Sequence, residues 1–126
     1  MDLAQGPCVI KRLRGCGAGC EYVAITPEGD IYPCHQFVGN EDYKLGSLYD
    51  GTFDKELSGR FAGLNIYTRE ECRDCWARFY CSGGCSASNL LVNGDIKKPH
   101  RVGCELERKR LECAIALRAI AAGMAE

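Results

Sequence analysis

Apolar and β-branched residues form two short runs near the start of the chain, at positions 21–26 and 31–34. The turn-forming residues Pro27-Glu28-Gly29-Asp30 separate these runs, and proline and glycine at such places favour a tight turn. The pattern predicts an N-terminal β-hairpin. Such a hairpin would return Cys34 to the neighbourhood of Cys20.

The segment after the hairpin changes to helical spacing. Residues 43–48 predict one more short strand. Phe53, Leu57 and Phe61 then recur at every fourth position, and Thr52 can cap a helix over residues 52–61. This apolar stripe is expected to pack in the core rather than to hold a cofactor.

Two short helices are predicted in the second half of the chain. Thr68 and Glu71 have the spacing of a capping box, which would open a helical turn just before Cys72. Residues 86–92 predict a second helix, ended by Asn93-Gly94.

The longest predicted helix runs from Cys104 to about residue 122, with Gly123 as its stop. One face of this helix carries Leu106, Cys113, Leu117 and Ile120. Cys113 is therefore expected to be a small apolar core residue rather than a metal ligand. Together these elements predict an α+β fold.

The composition allows one small domain with a thin aliphatic core. The chain has 126 residues and a hydrophobic fraction of 46%, but that fraction includes ten cysteines, and there are 15 glycines. Glycine-rich chains lose much entropy on folding, so a small core usually needs covalent or metal crosslinks. Residues 1–14 show no helical or strand period.

The charge pattern narrows the range of partners. The formal net charge is −1, with acidic and basic residues interspersed, so no nucleic-acid partner is expected. Apolar runs fall far short of the roughly 20 residues that span a bilayer, so no membrane partner is expected either.

The cysteines are the candidate metal ligands of this chain. Four of them lie in a run of the form C-x2-C-x5-C-x3-C, at Cys72, Cys75, Cys81 and Cys85. Three more are gathered by a glycine-rich turn and the hairpin, at Cys16, Cys20 and Cys34. Soft thiolates at such spacing indicate metal centres. By analogy with two-cluster ferredoxins, Cys85 should serve a different centre from its neighbour Cys81.

Disulfides are the first alternative, because ten is an even number. The chain begins without the basic and apolar stretches of a signal peptide, and its cysteines sit in metal-like pairs. A reducing, cytoplasmic location is therefore expected.

Zinc is the second alternative, since two four-cysteine zinc sites would make a structural or interaction module. Zinc sites commonly pair two C-x2-C-like turns per ion, whereas this chain has one C-x2-C. The glycines and long spans favour iron–sulfur clusters, without excluding zinc.

The cysteine pattern resembles the SPASM domain of radical SAM peptide-modifying enzymes, over nearly the whole chain. The matching features are Cys16-x12-Gly29-x4-Cys34, the run from Cys72 to Cys85, and a lone Cys104. Strings such as Cys75-Trp76-Ala77-Arg78-Phe79-Tyr80-Cys81-Ser82-Gly83-Gly84-Cys85 are similar to the maturases of six-cysteine (SCIFF) peptides, which form thioether crosslinks.

The resemblance implies two auxiliary 4Fe-4S clusters. Auxiliary I would be bound by residues 16–34 plus Cys85, with the ligands Cys16, Cys20, Cys34 and Cys85. Auxiliary II would be bound by residues 72–81 plus Cys104, with the ligands Cys72, Cys75, Cys81 and Cys104. Cys20 would be the fourth ligand of auxiliary I, and Cys8 is a weaker candidate for that ligand position.

The resemblance also implies a division of the chain and its partners. Residues 1–14 would be a truncated linker from a radical SAM core, and residues 15–126 the SPASM domain. The chain lacks the C-x3-C-x2-C motif that binds the catalytic cluster, so no turnover is expected from it alone. Its partners would be the radical SAM core, a cysteine-rich precursor peptide and an external electron carrier.

One histidine and three arginines near these cysteines could interact with a cluster. His35 could hydrogen-bond a cluster sulfur or be a ligand, although a surface imidazole is the expected state. Arg73, Arg78 and Arg101 could offset cluster charge, but each is singly expected to be a solvated surface residue.

Overall fold

The computed structural model describes residue 3 and residues 8–123, and it has the predicted α+β arrangement. A four-stranded antiparallel sheet has the strand order β1-β2-β3-β4. The strands are β1 (Ala24–Ile25), β2 (Asp30–Tyr32), β3 (Gly46–Ser47) and β4 (Thr52–Phe53). The predicted hairpin is confirmed as β1 and β2, with Ala24 opposite Tyr32.

The core lies against this sheet and is built around three aromatic rings. The ring of Phe37 lies 5.1 Å from that of Tyr43 and 5.4 Å from that of Phe61. Leu45 is fully buried beside them. Two short 3₁₀ helices, His35–Phe37 and Glu41–Tyr43, connect β2 to β3 and place the first two rings.

Helix α2 (Lys55–Ala62) is shorter than predicted. Thr52 and Phe53 belong to β4, where Phe53 pairs with Gly46 and stays 45% exposed. The cap is Asp54, whose Oδ1 accepts a hydrogen bond from the backbone N–H of Leu57 at 2.8 Å. The predicted stripe is thus correct for Leu57 and Phe61, which are buried, and wrong for Phe53.

Three short helices carry the cysteine-rich run: α3 (Glu70–Arg73), α4 (Arg78–Cys81) and α5 (Ser86–Asn93). The prediction of α5 and its stop is confirmed, since Gly94 has a φ of 71°. The capping box is wrong, because α3 is preceded by Arg69 without a side-chain cap. The Thr68 hydroxyl donates to the Gly63 carbonyl and accepts from the Asn65 N–H instead.

Helix α6 (Arg101–Ala121) begins three residues before Cys104. Leu111 is its buried residue, while Leu106, Leu117 and Ile120 are more than half exposed. Cys113 is also exposed, so its predicted core position is wrong. Leu106, Cys113 and Leu117 border a surface groove of about 580 Å³.

A first helix, α1 (Val9–Arg14), occupies a segment for which no helix was predicted. Lys11 and Arg14 form ion pairs with Glu21 at 2.9 and 2.8 Å, which join α1 to the loop that carries Cys16 and Cys20. Part of the proposed linker, residues 1, 2 and 4–7, lies outside the described residues. Among those described, no helix combines the length and apolar character that crossing a membrane requires.

Candidate metal centre

One cavity of about 390 Å³ is lined by the four cysteines assigned to auxiliary II, Cys72, Cys75, Cys81 and Cys104. Cys72 lies in α3, and the N–H of Cys75 donates to its carbonyl at 3.1 Å in the turn that follows. Cys81 ends α4, and Cys104 lies in the first turn of α6. Residues 32 positions apart in sequence therefore face the same space.

Burial dominates the electrostatics of this cavity. It raises the pKa of Cys72 to about 11, and it also raises the pKa of Cys81 and of Cys104. The N–H groups of Gly83 and Gly84 point at the Cys81 sulfur and oppose this shift. A metal would therefore have to replace protons on thiols that resist ionisation, as thiolate ligation requires.

The segment between Cys81 and Cys85 has an unusual backbone. Ser82, Gly83 and Gly84 all have positive φ values, of 60°, 88° and 74°. A Cβ atom on Gly83 would lie 2.9 Å from both Cδ and Nε of Arg69, so the glycine is needed for space as well as for its φ. Successive N–H groups in such a turn form a concavity suited to an anion.

The second group of cysteines is assembled by the loop of residues 16–20. The N–H of Gly19 donates to the carbonyl of Pro33 at 3.0 Å, which holds the loop beside Cys34. Gly19 has a φ of 81°, and a Cβ there would come within 2.8 Å of the Phe61 ring. Ser58 fixes the same residue by donating its hydroxyl to the Gly19 carbonyl at 2.7 Å.

Tyr22 shows that two of the predicted ligands lie close together. The thiols of both Cys16 and Cys34 lie close enough to its hydroxyl to act on it electrostatically. Burial, followed by the effect of these two thiols, raises the pKa of Tyr22 to about 12. Cys20 differs, since its thiol donates to the Gly17 carbonyl of its own loop at 3.4 Å.

Cys85 lies at the N-terminus of α5 and lines a cavity of about 280 Å³ together with Cys81 and Cys104. Residues on either side of it, Gly84 and Ser86, line a narrow cavity of about 20 Å³ together with Cys16 and Cys20. Burial alone would raise the pKa of Cys85, but hydrogen bonds from Ser88, Ala87 and Gln36 together lower it. The Gln36 amide donates to the Cys85 sulfur at 3.7 Å.

The structure thus lines one cavity with the four cysteines assigned to auxiliary II and places Cys16 and Cys20 beside the backbone that flanks Cys85, while ligation itself stays a prediction. The ten cysteines, all within residues 8–123, are free thiols, and Cys8 and Cys113 are both exposed. His35 is exposed, as expected. Among the described residues, no three His, Cys, Asp or Glu side chains are gathered closely enough to hold a single ion.

The predicted arginines have different surroundings. Arg78 lines the larger cavity, donates to the Cys75 carbonyl at 3.1 Å and lies over the Phe79 ring at 4.7 Å. Arg73 is exposed and donates to the Tyr67 carbonyl. Arg101 lines the cavity too, but its side chain is 91% exposed and paired with Glu105.

Sequence reasoning missed Arg69, which is only 3% exposed. Its guanidinium donates to the Ile96 carbonyl at 2.7 Å and to the Ser86 hydroxyl at 3.0 Å, and its Nε has no hydrogen-bond partner. The one available signal was its position three residues before Cys72.

Comparison with known families agrees with an iron–sulfur site. Residues 16–76, just under half of the chain, match the SPASM family, which is described as an iron-sulfur cluster-binding domain. The matched segment contains Cys16, Cys20, Cys34, Cys72 and Cys75.

Several longer proteins are similar to the chain. A PqqA peptide cyclase of Xanthomonas axonopodis pv. citri is 31% identical over 63% of this chain and 22% of its own length. A serine-type anaerobic sulfatase-maturating enzyme of Klebsiella aerogenes is 28% identical over 66% of the chain and 20% of its own length. An uncharacterised protein of Archaeoglobus fulgidus is 32% identical over 75% of this chain and 23% of its own length. The chain thus spans about a quarter or less of the relatives that it matches.

Proposed function

We propose that this chain is a SPASM domain that binds two 4Fe-4S clusters within a larger radical SAM peptide maturase. The observation that carries the proposal is the cavity of about 390 Å³ lined by Cys72, Cys75, Cys81 and Cys104. Four thiolates are the usual ligand set of such a cluster. The cavity is large enough for a centre several ångströms wide, whereas a zinc ion would need the four sulfurs drawn to about 2.3 Å.

The second cluster would be held by Cys16, Cys20, Cys34 and Cys85. Cys16 and Cys34 both act electrostatically on Tyr22, and the loop of residues 16–20 packs beside the backbone that flanks Cys85. Cys20 is proposed as the fourth ligand. Its thiol would have to exchange its contact with the Gly17 carbonyl for iron.

The proposed role of the bound clusters is electron transfer, the chemistry that such clusters supply in proteins. If bound by Cys16, Cys20, Cys34 and Cys85 and by Cys72, Cys75, Cys81 and Cys104, the two clusters would supply one-electron transfer between the crosslinking reaction and an external carrier. Engagement of a substrate thiol at auxiliary I is the second role, which requires that Cys20 does not close the site. A cytoplasmic location suits these thiols.

The reaction and substrate are proposed at two levels. The relatives named as a peptide cyclase and a sulfatase-maturating enzyme support a parent enzyme that modifies a polypeptide. Thioether crosslinking of a cysteine-rich ribosomal peptide is the finer proposal, and the similarity of residues 75–85 to the six-cysteine peptide maturases supports it. The radical SAM core of that enzyme would be the partner of this chain.

The test is the iron and acid-labile sulfide content of anaerobically purified chain. We expect about eight of each per chain, as two 4Fe-4S clusters require. A Cys72→Ala, Cys104→Ala variant should retain about half, whereas Cys113→Ala, which changes an exposed thiol, should retain all. Two zinc ions without sulfide would instead identify a structural module.

A further inference from the structure

Arg69 is a buried cation without a carboxylate partner. Its ordinary neighbours are uncharged, namely the carbonyls of Ile96 and Lys97 and the hydroxyl of Ser86. No carboxylate among the described residues lies within ion-pair distance of it. Burying a guanidinium removes its hydration, and neutral acceptors offset this loss only in part.

The negative partners that face Arg69 are mainly thiols. Cys72, Cys81 and Cys85 act electrostatically on it, as does Asp95. Asp95 is exposed, and its carboxylate accepts a hydrogen bond from the Lys97 N–H at 2.8 Å, so solvent screens it. The thiols carry compensating charge only when they are thiolates, the form in which they bind a metal.

Arg69 also contacts residues that neighbour the ligands of both proposed clusters. Cys72 and Cys81 are assigned to auxiliary II and Cys85 to auxiliary I. The guanidinium is held by Ser86, the residue after Cys85, and by the chain before α6. Gly83, between Cys81 and Cys85, packs directly on its Cδ and Nε.

We propose that Arg69 is the shared internal counter-charge of the two cluster sites. Its guanidinium stabilises the negative charge that thiolate ligation brings to Cys72, Cys81 and Cys85, and it stabilises the additional electron of each reduced cluster. Arg69 is therefore a positioning and tuning residue that raises both reduction potentials. The inference rests on the proposed function and deepens it.

The experiment is a potentiometric titration of the cluster-loaded chain with dithionite, followed by EPR. Arg69→Gln should lower the midpoint potential of both clusters. The expected size is about tenfold in the ratio of reduced to oxidised cluster at fixed potential, or about 59 mV for one electron. Arg69→Lys keeps the charge and should stay closer to the wild-type potentials.

Arg118→Gln is the matched control, because it removes the same charge from an exposed position of α6. Arg118 lies 14 residues after Cys104, or about 21 Å along the helix, beyond the Debye length of about 8–10 Å. The midpoint potentials of both clusters in Arg118→Gln should equal those of the wild-type chain.

Unchanged potentials in a fully loaded Arg69→Gln chain would overturn the inference. If that variant retains no clusters, Arg69→Lys decides: cluster retention at near-wild-type potentials supports a role of charge, and failure of both overturns it in favour of a purely structural guanidinium. A wild-type chain without iron and sulfide would refute the proposed function itself, and this inference with it.

Discussion

Individual cysteines in this chain differ in how firmly their surroundings define them. Cys72, Cys75, Cys81 and Cys104 face one cavity, and Cys16 and Cys34 both act electrostatically on the Tyr22 hydroxyl. Cys85 and Cys20 rest on less direct contacts. Substitutions at these two positions are therefore the most informative at the scale of single residues.

Cys85→Ala should damage auxiliary I while leaving the four auxiliary II ligands in place. Cys85 lines a cavity of about 280 Å³ with Cys81 and Cys104, while its neighbours Gly84 and Ser86 line the cavity of Cys16 and Cys20. The expectation therefore rests on the analogy with two-cluster ferredoxins, in which the last cysteine of such a run binds the other cluster. EPR of the reduced variant is expected to keep one cluster signal. Loss of auxiliary II with survival of auxiliary I would reverse the assignment.

Cys20→Ala should remove one ligand of auxiliary I, so that an added thiol compound can bind the open iron. The EPR signal of that cluster should then shift on addition of a thiol, whereas in the wild-type chain it should not. Cys113→Ala, at an exposed position in α6, is the control. A thiol-sensitive signal in the wild-type chain would show that Cys20 is not a ligand.

Among the elements, those whose signals are local were predictable. The hairpin has its turn residues in place, and α5 has its glycine stop. Helix α2 was predicted too long because Thr52 and Phe53 pair with β3, a contact that helical spacing cannot reveal. The capping box failed because the Thr68 hydroxyl bonds back to residues 63 and 65.

Arg69 was beyond prediction for the same physical reason. The carbonyls that receive its hydrogen bonds lie 27 and 28 residues away in sequence. Helix α1 was missed because ion pairs to Glu21, and not its own periodicity, connect it to the domain.

Asp54→Ala should destabilise α2 by about 1 kcal/mol, the usual value of an N-cap side chain. The lost interaction is the hydrogen bond from the Leu57 N–H to the Asp54 carboxylate. Thermal denaturation of the cluster-loaded chain measures it. Lys55→Ala, an exposed change in the first turn of the same helix, should have little effect, and equal losses in the two variants would argue against the cap.

At the scale of the whole molecule, the aliphatic core is small. Fully buried aliphatic side chains are few among the described residues, with Leu45, Ile66, Ile96 and Leu111 the largest. The sheet has strands of two or three residues, and such short strands contribute little by themselves. Most of the net stability is therefore expected to come from metal ligation.

Removal of iron should unfold the chain. Binding of metal by thiolates from segments far apart in sequence contributes directly to the free energy of folding. Circular dichroism before and after anaerobic chelation should show loss of the cooperative thermal transition. An apo-protein that kept this transition would show that the hydrophobic core alone can hold the chain folded.

The three residues between Cys81 and Cys85 link the loading of the two sites. All three have positive φ values, two of them are glycines, and their ends belong to different proposed clusters. Whichever cluster forms first bears most of the entropic cost of fixing this segment, so the second forms with less. Loading should therefore be cooperative. Native mass spectrometry during reconstitution should find fewer singly loaded chains than independent binding gives, and a statistical distribution would show that the two sites fill separately.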